Sequence, residues 1–406
     1  MEDNIRWGTN YLRMVITMTK EQSFFLQVLS DHLNGRKTIG IDGLDWNTIL
    51  YYARRHQVSG IFYVQAKEYM PLEIVSLFQK EMVAIYLLQS NRECEMLEIN
   101  RTLNNKKIPF FIIKGPVIGQ LYPIPELRSM GDIDLVIQTN NRETCHDILL
   151  NRGYRCLSKQ EDREWQYVKN GMEFELHDRL VYQEAVTERK QELFINNCWK
   201  YVKDGQLDWN FHLLFLIFHL RKHLINSGVG FRHFLDIAIV AQKVKMDWKW
   251  IEDNLKKTEM SDFAKRCYGF IFRWFGVQTP LMSDIDNAFF EQATEKIFAD
   301  GVFGFGNKEN DDSLVINQVR HDRFPKIGMI RLALCSVFPG RKELKDTIPY
   351  TYLDKYPVLL PIAWFHRMIR GSKKGKTNNI ILDIKNSFTS KDQIEKRIEM
   401  LNKWGL

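Results

Sequence analysis

Two aspartates on one predicted strand, Asp132 and Asp134, are the residues of this 406-residue chain that most directly indicate chemistry. Successive side chains of a strand point to opposite faces, so these two carboxylates share one face. Carboxylates this close repel each other unless a proton or a cation lies between them. A divalent ion such as Mg²⁺ relieves the repulsion and keeps coordination positions for phosphate oxygens. The pair therefore predicts a metal site that serves phosphate chemistry.

A second feature, Lys114-Gly115-Pro116, predicts a phosphate site close to the first. It follows an apolar segment, 108–113, that we expect to be a buried strand. Proline is favoured at the first helical position, so Gly115 is predicted to stand where a strand leads into a helix. Free backbone N–H groups at that point favour an anion, and a residue without a β-carbon lets a phosphate approach. Lys114 can add a charge-assisted hydrogen bond.

A third carboxylate is expected from a β-hairpin. Asn170-Gly171 lies between two alternating runs, which is the strongest short-range hairpin signal. Glu173 and Glu175 share a face of the second arm, and one of them is expected to reach the aspartate pair. There it would bind metal and deprotonate an attacking hydroxyl. Glu175 is favoured because it is nearer the strand end at His177, and Glu173 remains the alternative.

The elements that position these groups predict an α+β fold. Residues 108–180 alternate strand and helix, which indicates a small mixed-sheet core. That core is embedded between an N-terminal helical region, 1–107, and a C-terminal helical region, 181–406, both with apolar residues at helical spacing. Three regions are thus predicted.

Composition limits the classes of protein that fit. A net charge of +7 suits phosphate-bearing ligands but does not indicate a nucleic-acid partner, which stays open. The six cysteines form no CxxC pair, so neither a zinc site of that type nor a disulfide framework is predicted. No run of eighteen apolar residues and no secretory signal is apparent, and we expect a cytoplasmic protein without a membrane span.

A second cluster lies in the C-terminal helical region. His219 and His223 stand four residues apart on one predicted helix face. Such a pair can bind zinc, but the sequence shows no third ligand and lacks the glutamate of an HExxH motif. We therefore expect the histidines to line or support the cleft, and Lys222 to reach a phosphate. Arg232 and Asp236 have the same spacing and are predicted to form a structural ion pair.

Several segments together resemble a known family. They are IIKG, LYPIPELRSMGDIDLVI, RGY and FELHDRL in the central region, and HLRKHLINSGVGFRHFLDIAIV and KYPVLLPIAWFHRMIR further on. The chain is similar in them to the uncharacterised bacterial nucleotidyltransferase family of the polymerase-β-like superfamily. One departure from the wider superfamily is Lys114-Gly115 where Gly-Ser is usual, which removes a serine hydroxyl from the phosphate site.

The resemblance implies roles for particular residues. Asp132, Asp134 and Glu175 would be the catalytic, metal-binding triad. Two Mg²⁺ ions are expected, with Mn²⁺ as an alternative, and an NTP as co-substrate. The residues expected to contact the nucleotide or line its cleft are Lys114, Gly115, Arg128, His177, His219, Lys222 and His223.

The function so predicted is nucleotidyl transfer from an NTP to an acceptor. A small molecule or a sugar phosphate is favoured, and the sequence does not identify it. Two alternatives stay open: a toxin-like or regulatory enzyme that modifies tRNA or a protein, and a non-catalytic protein that binds a nucleotide or a partner. The intact carboxylates argue against the non-catalytic alternative. Base preference and oligomeric state are not predicted.

Overall fold

The computed structural model describes residues 18–160, 163–182, 189–226, 228–302, 341, 352–364, 366 and 391–406. Contacts divide the chain into two compact units, one of residues 1–307 with 404–406 and one of residues 308–403. The first unit holds the sheet and every site residue discussed below. The domain boundaries predicted at residues 107 and 180 stay predictions.

The N-terminal region is helical, as predicted. Asp45 caps the second helix, since its carboxylate accepts a hydrogen bond from the backbone N–H of Asn47 at 3.0 Å. Pro71 stands immediately before the long fourth helix, a position that requires no N–H donor. The helices are α1 (Lys20–Leu33), α2 (Trp46–Arg55), α3 (Ser59–Ala66) and α4 (Leu72–Asn105).

The central region forms a five-stranded mixed sheet, which confirms the predicted α+β class. Its strands are β1 (Phe110–Ile113), β2 (Asp132–Ile137), β3 (Arg155–Ser158), β4 (Trp165–Lys169) and β5 (Met172–His177). Their spatial order is β1-β2-β5-β4-β3, with β2 and β5 parallel and the other neighbours antiparallel. The helices α5 (Gly115–Gly119) and α6 (Arg142–Asn151) precede and follow β2.

The two faces of β2 have different surroundings. Ile133, Leu135 and Ile137 face a buried core with apolar residues of α4 and α6. The opposite face carries Asp132 and Asp134, because side chains alternate along a strand. The sheet therefore presents its carboxylates on the face away from this core.

The predicted hairpin is confirmed and fixes the register of β5. Asn170 and Gly171 both have positive φ, 49° and 75°, as a two-residue type I′ turn requires. β4 pairs antiparallel with β5 from Lys169 opposite Met172 onward. This register places Glu173, Glu175 and His177 on one face.

The region after the sheet is again helical. Its elements in the first unit are α7 (Arg189–Ile195), β6 (Val202–Lys203), β7 (Gln206–Leu207), α8 (Trp209–Asn226), α9 (Phe231–Lys243), α10 (Trp248–Lys257), α11 (Ser261–Phe275) and α12 (Asn287–Asp300). It packs on the N-terminal helices, and Ser30 Oγ of α1 donates to the carbonyl oxygen of Phe275 at 3.0 Å.

The described residues of the later part of the chain include the helices α13 (Tyr352–Lys355) and α14 (Lys391–Trp404). Arg341 Nε donates to the carbonyl oxygen of Leu353 at 2.9 Å, within the second unit. Among the residues that the structure describes, no helix combines the length and the apolar character needed to cross a membrane.

Candidate active site

The parallel pairing of β2 with β5 brings the predicted carboxylates together. Asp132 lies opposite Glu173 and Asp134 lies opposite Glu175. Glu175, Asp134 and His177 each place one ligand atom within 4.8 Å of the other two. Asp132 is not a member of that group, although it lines both of the cavities described below.

Asp134 is the buried centre of a charge network. Its Oδ1 accepts hydrogen bonds from Lys114 Nζ at 2.7 Å and from His177 Nε2 at 3.1 Å. The same His177 nitrogen lies 3.2 Å from Glu175 Oε2. Asp134 is only 1% exposed, so these partners replace the solvent that a carboxylate would otherwise need.

The network shifts the pKa values of its members in opposite directions. Burial alone would raise the pKa of Asp134, but the charges of Lys114 and His177 hold it well below its ordinary value. Burial opposes protonation of His177, yet its hydrogen bonds to Asp134 and Glu175 raise its pKa to about 9. Repulsion from Asp134, together with burial, raises the pKa of Asp132 to about 6. The centre thus combines two positive groups with carboxylates that repel one another.

Lys114 has a backbone conformation that normally favours glycine. Its φ is +54° and its ψ is −119°, which costs a residue with a β-carbon about 1–3 kcal/mol. His212 contributes to holding this conformation, since its Nε2 accepts a hydrogen bond from the Lys114 N–H at 3.1 Å. In this conformation the Lys114 ammonium lies beside Asp134.

Gly115 lies in a tightly packed position, which the sequence did not indicate. A β-carbon on Gly115 would lie 3.1 Å from Met130 Sδ and 3.3 Å from Arg128 Nη1. The loop that carries these two side chains is fixed by Arg92 of α4, whose Nη1 donates to the Met130 carbonyl oxygen at 2.6 Å. Arg92 Nη2 donates to the next carbonyl oxygen, that of Gly131, at 2.5 Å. This loop leads directly into Asp132.

Arg128 is held by a buried ion pair. Its Nε and Nη2 donate to the two oxygens of Asp236 at 2.9 and 2.6 Å, and the Tyr122 hydroxyl donates to Oδ1 at 2.8 Å. The pairing of Asp236 with Arg232 predicted from their helical spacing is therefore wrong. Arg232 lies on the same helix but turns to the Ser129 carbonyl oxygen at 2.7 Å and to Gln57. Arg128 Nη1 is buried without a hydrogen-bond partner among the described atoms.

Two cavities meet at this centre. Cavity A, of about 210 Å³, is lined by Gly115, Arg128, Arg232, His233 and Asp236, among others. Cavity B, of about 230 Å³, is lined by Glu175, His177, Tyr182, Phe215 and Lys222, among others. Four residues line both, and these are Lys114, Asp132, His219 and His223. The arrangement can hold one ligand in each cavity, on opposite sides of one set of carboxylates.

Three residues of the site were not foreseen from the sequence. They are Arg92, which fixes the loop before Asp132, His212, which supports Lys114, and His233, which joins His219 and His223. The one signal in the sequence is the position of Arg92, which interrupts the apolar stripe of a long amphipathic helix four residues after Leu88 and seven before Ile99. His212 and His233 stand in apolar helices, where their partners depend on helix packing.

One of three comparisons with known proteins found a match. Residues 42–276, more than half of the 406, match the family described as uncharacterised nucleotidyltransferase. A search of the curated proteins and a search of the solved structures each found no match. The matched region contains the sheet, both cavities' carboxylates and the histidines of α8 and α9. This chain belongs to that nucleotidyltransferase family and is thus a transferase of phosphorus-containing groups.

Proposed function

We propose that this enzyme transfers a nucleotidyl group from an NTP to a small molecule or sugar phosphate in a Mg²⁺-dependent reaction, on a polymerase-β-like core. The observation that carries the proposal is the parallel register of β2 and β5, which aligns Asp132 and Asp134 with Glu173 and Glu175 beside Lys114. Carboxylates from neighbouring strands next to a cationic turn form a site for a metal-bound triphosphate.

The residues present fit a divalent ion. The pKa of Asp132 is raised to about 6 by repulsion from Asp134, so a cation between them is favoured. Asp134 Oδ2 is buried and has no hydrogen-bond partner among the described atoms, which leaves it available as a ligand. Asp132, Asp134 and Glu175 would hold Mg²⁺, as a pair of ions or with Mn²⁺ in its place. Bound there, the metal supplies positive charge that orients the phosphates and stabilises the charge of the transition state.

Cavity A is the proposed nucleotide site. Arg128 Nη1 is an unpaired, buried donor over Gly115, and Arg232 adds a second guanidinium to the same lining. Arginine donors suit phosphate oxygens because their geometry is fixed. Lys114 lines the cavity too and is placed to move from Asp134 to a phosphate when metal neutralises that carboxylate. His219 and His223 line the same wall.

The transfer itself needs one bond made and one broken. An acceptor oxygen attacks the α-phosphorus, the bond to the bridging oxygen of the β-phosphate breaks, and pyrophosphate leaves with that electron pair. An acceptor hydroxyl passes its proton to Glu175, which lies at the boundary of cavity B. A phosphate acceptor carries no such proton and needs only orientation.

Cavity B is the proposed acceptor site. Its size, about 230 Å³, suits a small molecule better than a folded RNA or protein segment. Tyr182, Phe215 and Phe218 supply apolar faces, while Lys222 offers a cation to an acceptor phosphate. This mixture of aromatic and charged groups is typical of binding sites for polar metabolites.

The test is to incubate the protein with each NTP, Mg²⁺ and a metabolite extract and to search for nucleotidylated products by mass spectrometry. The Asp132→Ala variant is the control and should lack the products. Products formed without added RNA or protein support a small-molecule acceptor, and products that need added tRNA or protein favour the regulatory alternative. If the protein neither binds nor consumes any NTP in the presence of Mg²⁺ or Mn²⁺, the enzyme function proposed here is refuted.

A further inference from the structure

Three imidazole rings converge on the wall of cavity A. His219 and His223 lie one turn apart on α8, and their Nε2 atoms are 3.0 Å apart. His233 comes from α9, with its ring centre 5.3 Å from that of His223 and 6.4 Å from that of His219. One ring nitrogen from each of the three lies within 4.8 Å of the other two. His233 is the third ligand that the helical spacing of the first two did not reveal.

We infer that His219, His223 and His233 form a binding site for a transition-metal ion that prefers nitrogen ligands, with Zn²⁺ as the leading candidate. Imidazole nitrogens suit Zn²⁺, Ni²⁺ and Cu²⁺, whereas Mg²⁺ selects oxygen ligands. A zinc ion with three protein ligands keeps a fourth position for water or a ligand oxygen. All three rings line cavity A, so that position opens into it.

Burial disfavours the protonated form of all three rings. Burial, followed by nearby positive charges, lowers the pKa of His223 to about 3. The pKa values of His219 and His233 are also held well below 6.5 by burial. A metal binds the neutral imidazole, which offers one nitrogen lone pair.

The surroundings of His233 allow the correct nitrogen to face the ion. Its Nδ1 lies between two backbone groups of Gly230, at the start of the same helix: the N–H, which can donate to it at 3.2 Å, and the carbonyl oxygen at 3.3 Å. When Nδ1 accepts from the N–H, the proton is on Nε2; when Nδ1–H donates to the carbonyl oxygen, the lone pair of Nε2 is left for the metal, so metal binding selects the second tautomer. Metal-binding histidines commonly donate their other N–H to a carbonyl in this way, which fixes the ring.

The formal charges of the cavity lining cancel. The charged groups of the lining balance, three against three: Lys114, Arg128 and Arg232 against Asp132, Glu173 and Asp236. The cations also have partners of their own, since Lys114 is paired with Asp134 and Arg128 with Asp236. The lining as a whole is therefore neutral, although Lys114 and Arg232 are among the positive charges that act on the His223 ring.

The site is chemically distinct from the carboxylate group of Asp134 and Glu175, and it does not depend on nucleotidyl transfer. Excess Mg²⁺ should occupy oxygen ligands and leave the imidazoles free. The experiment therefore titrates untagged, full-length protein with Co²⁺ and then Zn²⁺ in buffer that contains excess Mg²⁺. We expect one Co²⁺ per chain with the visible absorption of a four-coordinate ion, displaced by one equivalent of Zn²⁺.

Single variants assign the ligands. His223→Ala and His233→Ala should each weaken Zn²⁺ binding by at least about 100-fold, because loss of an outer partner alone costs about 10–100-fold. His223→Gln serves as a second variant if the alanine replacement unfolds the protein, which circular dichroism reports. The controls are His366→Ala, an exposed histidine, and Glu175→Gln, which removes a carboxylate of the Asp134 group without leaving a buried charge unpaired. Both controls should keep the ion.

Two results would overturn the inference. One is Zn²⁺ affinity in His233→Ala equal to that in His366→Ala. The other is a Co²⁺ spectrum that disappears in Glu175→Gln and persists in His223→Ala, which would move the ion to the carboxylates. Both are measured without nucleotide, so neither depends on whether an NTP is turned over.

Discussion

At the scale of single residues, the two aspartates of β2 have different electrostatic environments although they share a face. Asp134 is buried and stabilised as a carboxylate by Lys114 and His177. Asp132 lies next to that charge and its pKa is raised to about 6, so its ionised form is unfavourable without a cation. Asp132 is thus the carboxylate that gains most from a bound metal.

The first prediction separates stability from activity at Asp132. Asp132→Asn should remove the repulsion from Asp134 and stabilise the protein by about 1–2 kcal/mol, since one pKa unit corresponds to about 1.4 kcal/mol. The same change should lower NTP turnover by about 10³-fold or more because a metal ligand is lost. Thermal unfolding and product formation measure the two effects.

Asp134→Asn is the contrasting variant. It should lose both stability and NTP turnover, because Lys114 and His177 then keep buried charges without their partner. A less stable Asp132→Asn would contradict the repulsion argument.

The second prediction decides between the two glutamates. Glu175→Gln should lower turnover by about 10²-fold or more, because Glu175 lies with Asp134 and His177 in one ligand group. Glu173→Gln should change it much less, since Glu173 is exposed and outside that group. Steady-state rates of both variants at saturating Mg²⁺ are the measurement. Equal losses would mean that both glutamates contribute, and a larger loss in Glu173→Gln would reverse the assignment.

At the scale of elements, the site depends on contacts between segments far apart in sequence. The loop that leads into β2 is held from three sides, by Arg92 of α4, by Arg232 of α9 and by the Arg128–Asp236 pair. Since the loop ends at Asp132, these contacts set the position of the first carboxylate. The helical regions therefore position the site as well as enclosing it.

The third prediction tests that support. Asp236→Asn should destabilise the protein by about 3–5 kcal/mol, because the buried guanidinium of Arg128 loses its counter-charge. Arg128→Met combined with Asp236→Leu should recover much of the loss, since the pair is then replaced by apolar groups. Urea unfolding measures both variants. Asp253→Asn is the matched control on α10, because it breaks the exposed pair with Lys249 and should cost less than about 1 kcal/mol.

The sequence predicted the elements of the site better than their contacts. The alternation of Asp132 and Asp134, the Asn170-Gly171 turn and the Lys114-Gly115 junction are local signals, and each element formed where expected. The partner of Asp236 was missed because helical spacing pointed to Arg232, whereas the true partner, Arg128, is 108 residues away. Likewise, His233 meets His219 and His223 only when α8 and α9 pack. Local patterns do not contain that information.

At the scale of the whole molecule, the N-terminal helices and the helices after the sheet share one interior. Phe25 of α1 packs against Phe231 of α9 and Phe298 of α12, with ring centres 5.6 and 5.3 Å apart. His56 lies in the middle of these rings and is fully buried. Its Nδ1 accepts a hydrogen bond from the Phe231 N–H at 3.3 Å, at the start of the helix that carries Arg232, His233 and Asp236. The two helical regions are thereby coupled through a titratable group.

The fourth prediction concerns the pH dependence of stability that follows from His56. Burial, and then the charge of Arg55, lowers its pKa to about 3, whereas an unfolded histidine titrates near 6.5. The unfolded chain therefore binds the extra proton, so the stabilising effect is complete above pH 6.5 and is lost as pH falls toward 3. The loss should reach about 1.4 kcal/mol per pH unit for this one group. His56→Phe should make the decline of the free energy of unfolding between pH 6 and pH 4 shallower by that amount, as measured by urea unfolding across the range.

The variant also loses the acceptor for the Phe231 N–H, so the slope is compared and the absolute stability is not. The control is His366→Phe, at an exposed position, which should keep the wild-type slope. An unchanged slope in His56→Phe would mean that protonation at this interior position does not limit stability in acid.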